Sequence, residues 1–287
     1  MTAAARAWTL EPGVVLPLAI GAWLHARGLR SLWRQAGTGH GIRRWQAWSA
    51  AAGWLVLVIA LVSPLDALGG ALFSAHMAQH ELLMAVAAPL LVLGRPLVAI
   101  LWALPPRWRR AAGRWAGARP VRSAWRALTR PSAAWALHAV AIWAWHAPRL
   151  YDAAVVRESV HALQHACFLG TALLFWWSLM HAPAARRRYG VAVLYLFATA
   201  VHTTALGAVL ALATHPLYPV YASTAAWGLT PLEDQQLAGL IMWVPGGVVY
   251  LIAALGFMVA WLRRSEARSA PRAMPAGAQP LSVESAA

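Results

Sequence analysis

The chain has a single cysteine, Cys167, and no lysine. One thiol allows no intrachain disulfide and no CxxC clamp, so any bound metal must be held by histidine, methionine or carboxylate. Charge of either sign is scarce. Only 11% of the 287 residues are charged, with nine acidic side chains against 24 arginines, while 60% are hydrophobic. That is long enough for two soluble domains but too apolar for them, so the composition reads as an integral membrane protein. The net charge of +15 would suggest nucleic acid binding in a soluble chain. Here the apolar runs argue against a nucleic acid partner, and the arginines read as topology signals and as contacts to anionic headgroups of the bilayer.

Several uncharged stretches are long enough to cross a bilayer as helices, the only open-chain form that satisfies every backbone group there. The expected fold is all-α, a bundle of seven transmembrane helices. They cover roughly Pro12 to Trp33, Arg44 to Val62, Ala71 to Leu101, Ser132 to Trp145, Val160 to Met180, Val191 to Ala213 and Gln236 to Trp261. Arg27 and Arg30 interrupt the end of the first, which competes with a signal-peptide reading but lacks a clear small-residue cleavage site. Pro89 and Pro96 predict a kink or break in the third span, and Pro245-Gly246-Gly247 interrupts the last. The membrane domain is assigned to residues 1–264 and a disordered cytoplasmic tail to residues 265–287.

Arginine placement sets the orientation. The loops after spans one, three and five and the tail carry 20 arginines, against Arg6, Arg149 and Arg157 on the other side. The positive-inside rule then puts the amino terminus outside and the carboxyl terminus in the cytoplasm, in a multi-pass protein of the bacterial inner membrane. The segment from Arg107 to Arg130 interleaves arginine with Trp108, Trp115 and Trp125 and is expected to lie flat on the inner surface.

On this depth scale the histidines converge. His76-Met-Ala-Gln-His80 and His161-Ala-Leu-Gln-His165 each hold two imidazoles four residues apart, which stacks them on one helix face. His76 and His80 begin span three, His146 ends span four, and His161 and His165 begin span five, all toward the outside. His215 closes span six on the same side, and Asp66 and Asp234 occupy outer loops. His138 and His202 lie deeper, and His25, His40 and His181 fall near the inner side as ordinary interfacial anchors. Ionisable side chains in a bilayer are costly and mark function.

A zinc hydrolase would place glutamate between the paired histidines as general base, and Gln79 and Gln164 stand there instead. The reading is therefore not an enzyme. Imidazole suits copper, zinc and iron, and copper(I) also accepts thioether; Met84 lies four residues beyond His80 and is a possible further ligand. Gln79, Gln164, Asp66 and Asp234 are candidate partners that would fix imidazole tautomers.

The strings HMAQHELLMAVAAPLLVLGRP, WHAPRLYDAA, HALQHACFLGTALLFWW and PLEDQQLAGLIMWVPGG occur in this order, from His76 to Gly247. In them the chain resembles the multi-span CtaG family of cytochrome c oxidase assembly proteins, over about Trp45 to Trp261. The resemblance implies a role in maturing haem-copper oxidases, at the step that gives the catalytic subunit its copper. It matches the family's motif histidines to His76, His80, His146, His161 and His165, and its DQ pair to Asp234 and Gln235. The expected function is a membrane chaperone of the respiratory chain. It would hold copper near the outer face and pass it to the oxidase catalytic subunit, alongside other copper-delivery proteins. Zinc and haem are the lesser cofactor readings. Three alternatives stay open: a haem-binding electron carrier, a copper transporter, and a scaffold whose histidines only hydrogen-bond within the bundle.

Overall fold

The structure, a computed structural model, describes residues 8–181, 189–222 and 224–269, and among these every regular element is helical. The arginine-bearing loop of Arg186 to Arg188 and the expected tail beyond Ser269 lie outside the described residues. Among the described residues fourteen α-helices follow one another, interrupted by two π-helical segments and two short 3-10 turns. α1 (Pro12–Ala36) and α2 (Arg44–Leu61) are followed by the short α3 (Pro64–Gly69). The third expected span is broken into α4 (Phe73–Glu81), a π segment (Leu82–Ala87), α5 (Ala88–Leu93) and α6 (Pro96–Ala103).

α7 (Pro106–Gly117) and α8 (Arg119–Leu128) hold the arginine-tryptophan stretch, and neither buries a residue. α9 (Pro131–Trp145), α10 (Pro148–Val156), α11 (Glu158–Met180) and α12 (Tyr189–Ala211) come next. The last expected span divides into α13 (Pro231–Ile241), a second π segment (Met242–Gly246) and α14 (Gly247–Ser269), so helix continues past Ser265, where the tail was expected to begin.

Both π segments sit at prolines, and for one reason. A proline ring inside an α-helix collides with the carbonyl four residues earlier and leaves it without a donor. The wider π turn relieves that clash at Pro89, whose fourth preceding residue Ala85 is in the first segment, and at Pro245 within the second. At Pro96 the chain cannot be accommodated this way: Arg95 turns left-handed (φ 54°) and the helix restarts. The Arg95 guanidinium donates to Gly41 O at 3.0 Å, tying the break to the α1–α2 connection.

Among the described residues four helical stretches are long and apolar enough to cross a membrane: Phe73–Leu93, Glu158–Met180, Tyr189–Ala211 and Pro231–Glu266. α1, α2 and α9 occupy the other expected spans but fall short of that measure: α9 has only 15 residues, and α1 carries Arg27, Arg30 and Arg34. Leu194, Phe197 and Val201 on α12, and Leu251, Ile252 and Leu255 on α14, remain exposed, as a lipid-facing surface requires.

Hydrocarbon gives helices no hydrophobic reason to join, so they associate through close packing at small residues. A Cβ on Gly28 of α1 would fall 1.7 Å from Ala99 O of α6, and one on Gly94 would meet Ala50 Cβ of α2 at 2.5 Å. A Cβ on Gly239 of α13 would lie 2.5 Å from Gly207 O of α12. The main core gathers Phe73, Met77, Ile142, Trp145, Tyr151, Phe168, Phe175 and Trp176 from α4, α9, α10 and α11.

Candidate metal centre

α4 begins without a cap of its own, since its N-cap residue is Leu72. The cap comes from α13. The completely buried carboxylate of Asp234 accepts from Phe73 N at 2.7 Å, from Ser74 N at 3.1 Å and from the Ser74 hydroxyl. A carboxylate there satisfies orphan donors and complements the helix dipole. This fixes where the first turn starts, and so where His76 points two residues later.

His76 is anchored at its back. Its Nδ1 lies 3.0 Å from the Tyr221 hydroxyl and 3.3 Å from Gly69 O, while the Tyr221 hydroxyl itself donates to Gly69 O at 2.9 Å. Burial raises the Tyr221 phenol above its ordinary range, so the hydroxyl stays neutral. With its proton committed to Gly69, it can only accept from His76. The proton of neutral His76 therefore sits on Nδ1, and Nε2 presents a lone pair inward. That atom is 3.0 Å from His80 Nε2.

The ligand nitrogens of His76, His161 and His165 all lie within 4.8 Å of one another, in one pocket between α4 and α11. Two nitrogens on one tetrahedral ion at about 2.0 Å are roughly 3.4 Å apart, so a small rotation of the rings would bring the three onto an ion. The His80 ring centroid is 4.4 Å from that of His76 and 5.3 Å from that of His165, and His146 stands 6.3 Å from His80. His76 and His80 are 1% exposed, whereas His161 is only half-buried. Both helical pairs and His146 thus come together as the spacing suggested.

The remaining candidates stand elsewhere. Gln79, fully buried, donates to Ala60 O and to Asp66 Oδ1, both at 2.7 Å, joining α4 to α2 and α3. It therefore positions helices and does not orient an imidazole as its place between His76 and His80 suggests. Asp234 likewise serves as a helix cap, and Gln235 accepts from Leu217 N at 2.6 Å. Gln164 is fully buried beside His76. Met84 lies within the π segment, which breaks the four-residue register with His80, and it packs in the apolar core. His215 is exposed, its ring facing Thr214 at 3.4 Å, and is not brought to the cluster. His138 is tied to Thr171 Oγ1 at 3.0 Å, deeper in the bundle.

Two features escaped the sequence. Tyr221 comes from a 3-10 turn with no motif to announce it. Met77 puts its sulfur 3.4 Å from His146 Nε2. It adjoins His76 in sequence but faces a different neighbour, so helical spacing alone could not pair it with α9. Burial first, then a hydrogen bond and the charge of Glu158, and the charge of Asp66, hold the Glu11 carboxyl above its usual range. Three carboxyls are therefore gathered together.

A helical bundle with apolar membrane-length segments and a buried imidazole cluster has the character of a membrane protein with a candidate metal centre. Residues 23–264 match the profile of the cytochrome c oxidase caa3 assembly factor family, CtaG, and the chain belongs to that family. It is also 28% identical over 263 residues to uncharacterised proteins of Mycobacterium bovis and Mycobacterium tuberculosis, covering 88% of this chain. The chain spans 38% of the length of those relatives. No solved structure matches it.

Proposed function

We propose that this assembly factor binds copper between α4, α9 and α11 and delivers it to the catalytic subunit of the oxidase. It acts without a catalytic step of its own. The observation carrying this reading is the meeting of His76, His80, His161 and His165, with His146 beside them and Tyr151 and Phe168 against them. Histidine ligation with no thiolate suits an ion that must be handed on. The carboxyls of Glu11, Asp66 and Glu158 would draw cations toward half-buried His161.

The seven helical segments would all cross the bilayer, with the amino terminus and the imidazoles toward the outside of the inner membrane. Tyr151 at 5.2 Å from His76, and Phe168 at 4.6 Å from His80, occupy the flanks that a porphyrin would need, which favours a bare ion over haem.

The test is metal analysis of the full chain purified in detergent and exposed to reduced copper. The wild type should retain copper, and the His76→Ala and His161→Ala variants should lose most of it. Copper-free wild type after such loading would remove the metal from the proposed function and leave the assembly role alone.

A further inference from the structure

The contact between His146 and Met77 has an unusual composition. His146 Nδ1 lies 2.7 Å from Ile142 O, and a carbonyl can only accept, so Nδ1 carries the proton of the neutral ring. Its Nε2 then bears a lone pair, and that lone pair faces the Met77 thioether at 3.4 Å. A thioether has no proton to give. Two electron-pair donors therefore face each other with nothing between them to share, in a place where Met77 is completely buried and His146 is 5% exposed. A cation accepting from both would resolve the arrangement.

The geometry points to Met77 and His146 as a second ligand pair, beside the three-imidazole group and joined to it through His80, which takes a soft monovalent cation, copper as Cu(I). This rests on the cluster being a metal site at all, and adds which oxidation state it holds. The chemistry of the donors makes the choice. Thioether sulfur is a soft, weak ligand that favours Cu(I) over divalent zinc or Cu(II). Among the described residues no carboxylate belongs to the group of His76, His161 and His165, and thioether and neutral imidazole carry no charge, so these ligands together are neutral. Desolvation cost rises with the square of the charge, so a neutral, buried, water-poor set favours a single positive charge over two.

The experiment titrates the full chain in detergent with Ag(I), a redox-inert soft monovalent probe, and separately with Zn(II). In the wild type, Ag(I) should bind and the copper-loaded protein should show a sulfur scatterer in its X-ray absorption spectrum. Met77→Leu keeps the volume and removes the sulfur. It should weaken Ag(I) by at least about tenfold, abolish the sulfur signal and leave Zn(II) binding nearly unchanged. His161→Ala should lower the affinity for both ions, since its imidazole serves either, and leave the sulfur signal in place.

If wild type binds Ag(I) but Met77→Leu binds it equally well, with no sulfur signal in the wild type, the thioether is packing and this inference fails while the imidazole site stands. If the wild type binds neither ion, the site reading itself falls and this one with it. The spectrum of the wild type decides the matter even should the variant fold poorly.

Discussion

A single carboxylate, Asp234, holds the first turn of α4 in place from another helix. Removing it leaves two buried backbone N–H groups without acceptors, at a cost of about 1–3 kcal/mol. Asp234→Ala should lower the thermal unfolding midpoint in detergent and weaken metal binding. Asp234→Asn, which keeps an acceptor oxygen, should lose less of both. An unchanged midpoint for the alanine variant would mean that the cap contributes nothing.

Tyr221→Phe makes the complementary case. It should leave the fold intact and lower metal affinity by about 10- to 100-fold, because only the orientation of His76 is lost. Here the limits of the sequence become clear. The four-residue spacing of His76 with His80 and of His161 with His165 is a local property, fully written in the chain, and the structure keeps it. Asp234 reads from the sequence as a loop residue able to orient an imidazole, but it is buried and its work is done in trans, on a helix about 160 positions away. Met77 and Tyr221 depend on which neighbour each helix meets, and no local pattern carries that.

At the scale of helices, the sequence announced interruptions and the structure shows their form. Pro89 and Pro245 were legible as irregularities, while the π geometry that absorbs them was not, because it depends on packing against Trp176 and Glu81. Trp176 Nε1 donates to Met84 O at 3.0 Å, using a carbonyl in the first π segment, and a Cβ on Gly246 would meet Glu81 Oε2 at 2.7 Å. Window hydropathy joins α4, α5 and α6 into one long span because it averages over a left-handed residue such as Arg95.

The glycine contacts permit a paired prediction. Gly239→Ala forces α13 from α12, against backbone atoms that cannot yield, and should destabilise by about 1–3 kcal/mol, seen as a lower unfolding midpoint. Gly256→Ala on α14 has nothing within 4 Å of the added methyl and should be neutral or slightly stabilising. Equal loss in the two variants would show that close approach of α12 and α13 does not govern the effect.

For the molecule as a whole, the question is which end of the bundle faces the cytoplasm. The structure separates the two chemistries. Trp125 of α8 packs on Trp177 near one end of α11, with ring centroids 5.8 Å apart, while His161 stands near the other end. The offset of 16 positions between them spans about 24 Å of helix. Near the end of α6, where α7 begins, Trp23, Arg27, Arg30, Arg34 and Trp102 line a cleft, and the Arg109 guanidinium lies 4.0 Å over the Trp102 ring. Arginine with tryptophan at one level is what an anionic headgroup layer selects. The imidazoles sit at the opposite level. If the basic layer is cytoplasmic, the proposed copper site must face outward, and the two assignments stand or fall together. Reporters that work only after export, inserted at Gly113 between α6 and α8 and at Gly228 before α13, measure this directly. Activity is expected at Gly228 and none at Gly113. The reverse pattern would turn the bundle over, place the imidazoles toward the cytoplasm, and require that copper reach them from within the cell.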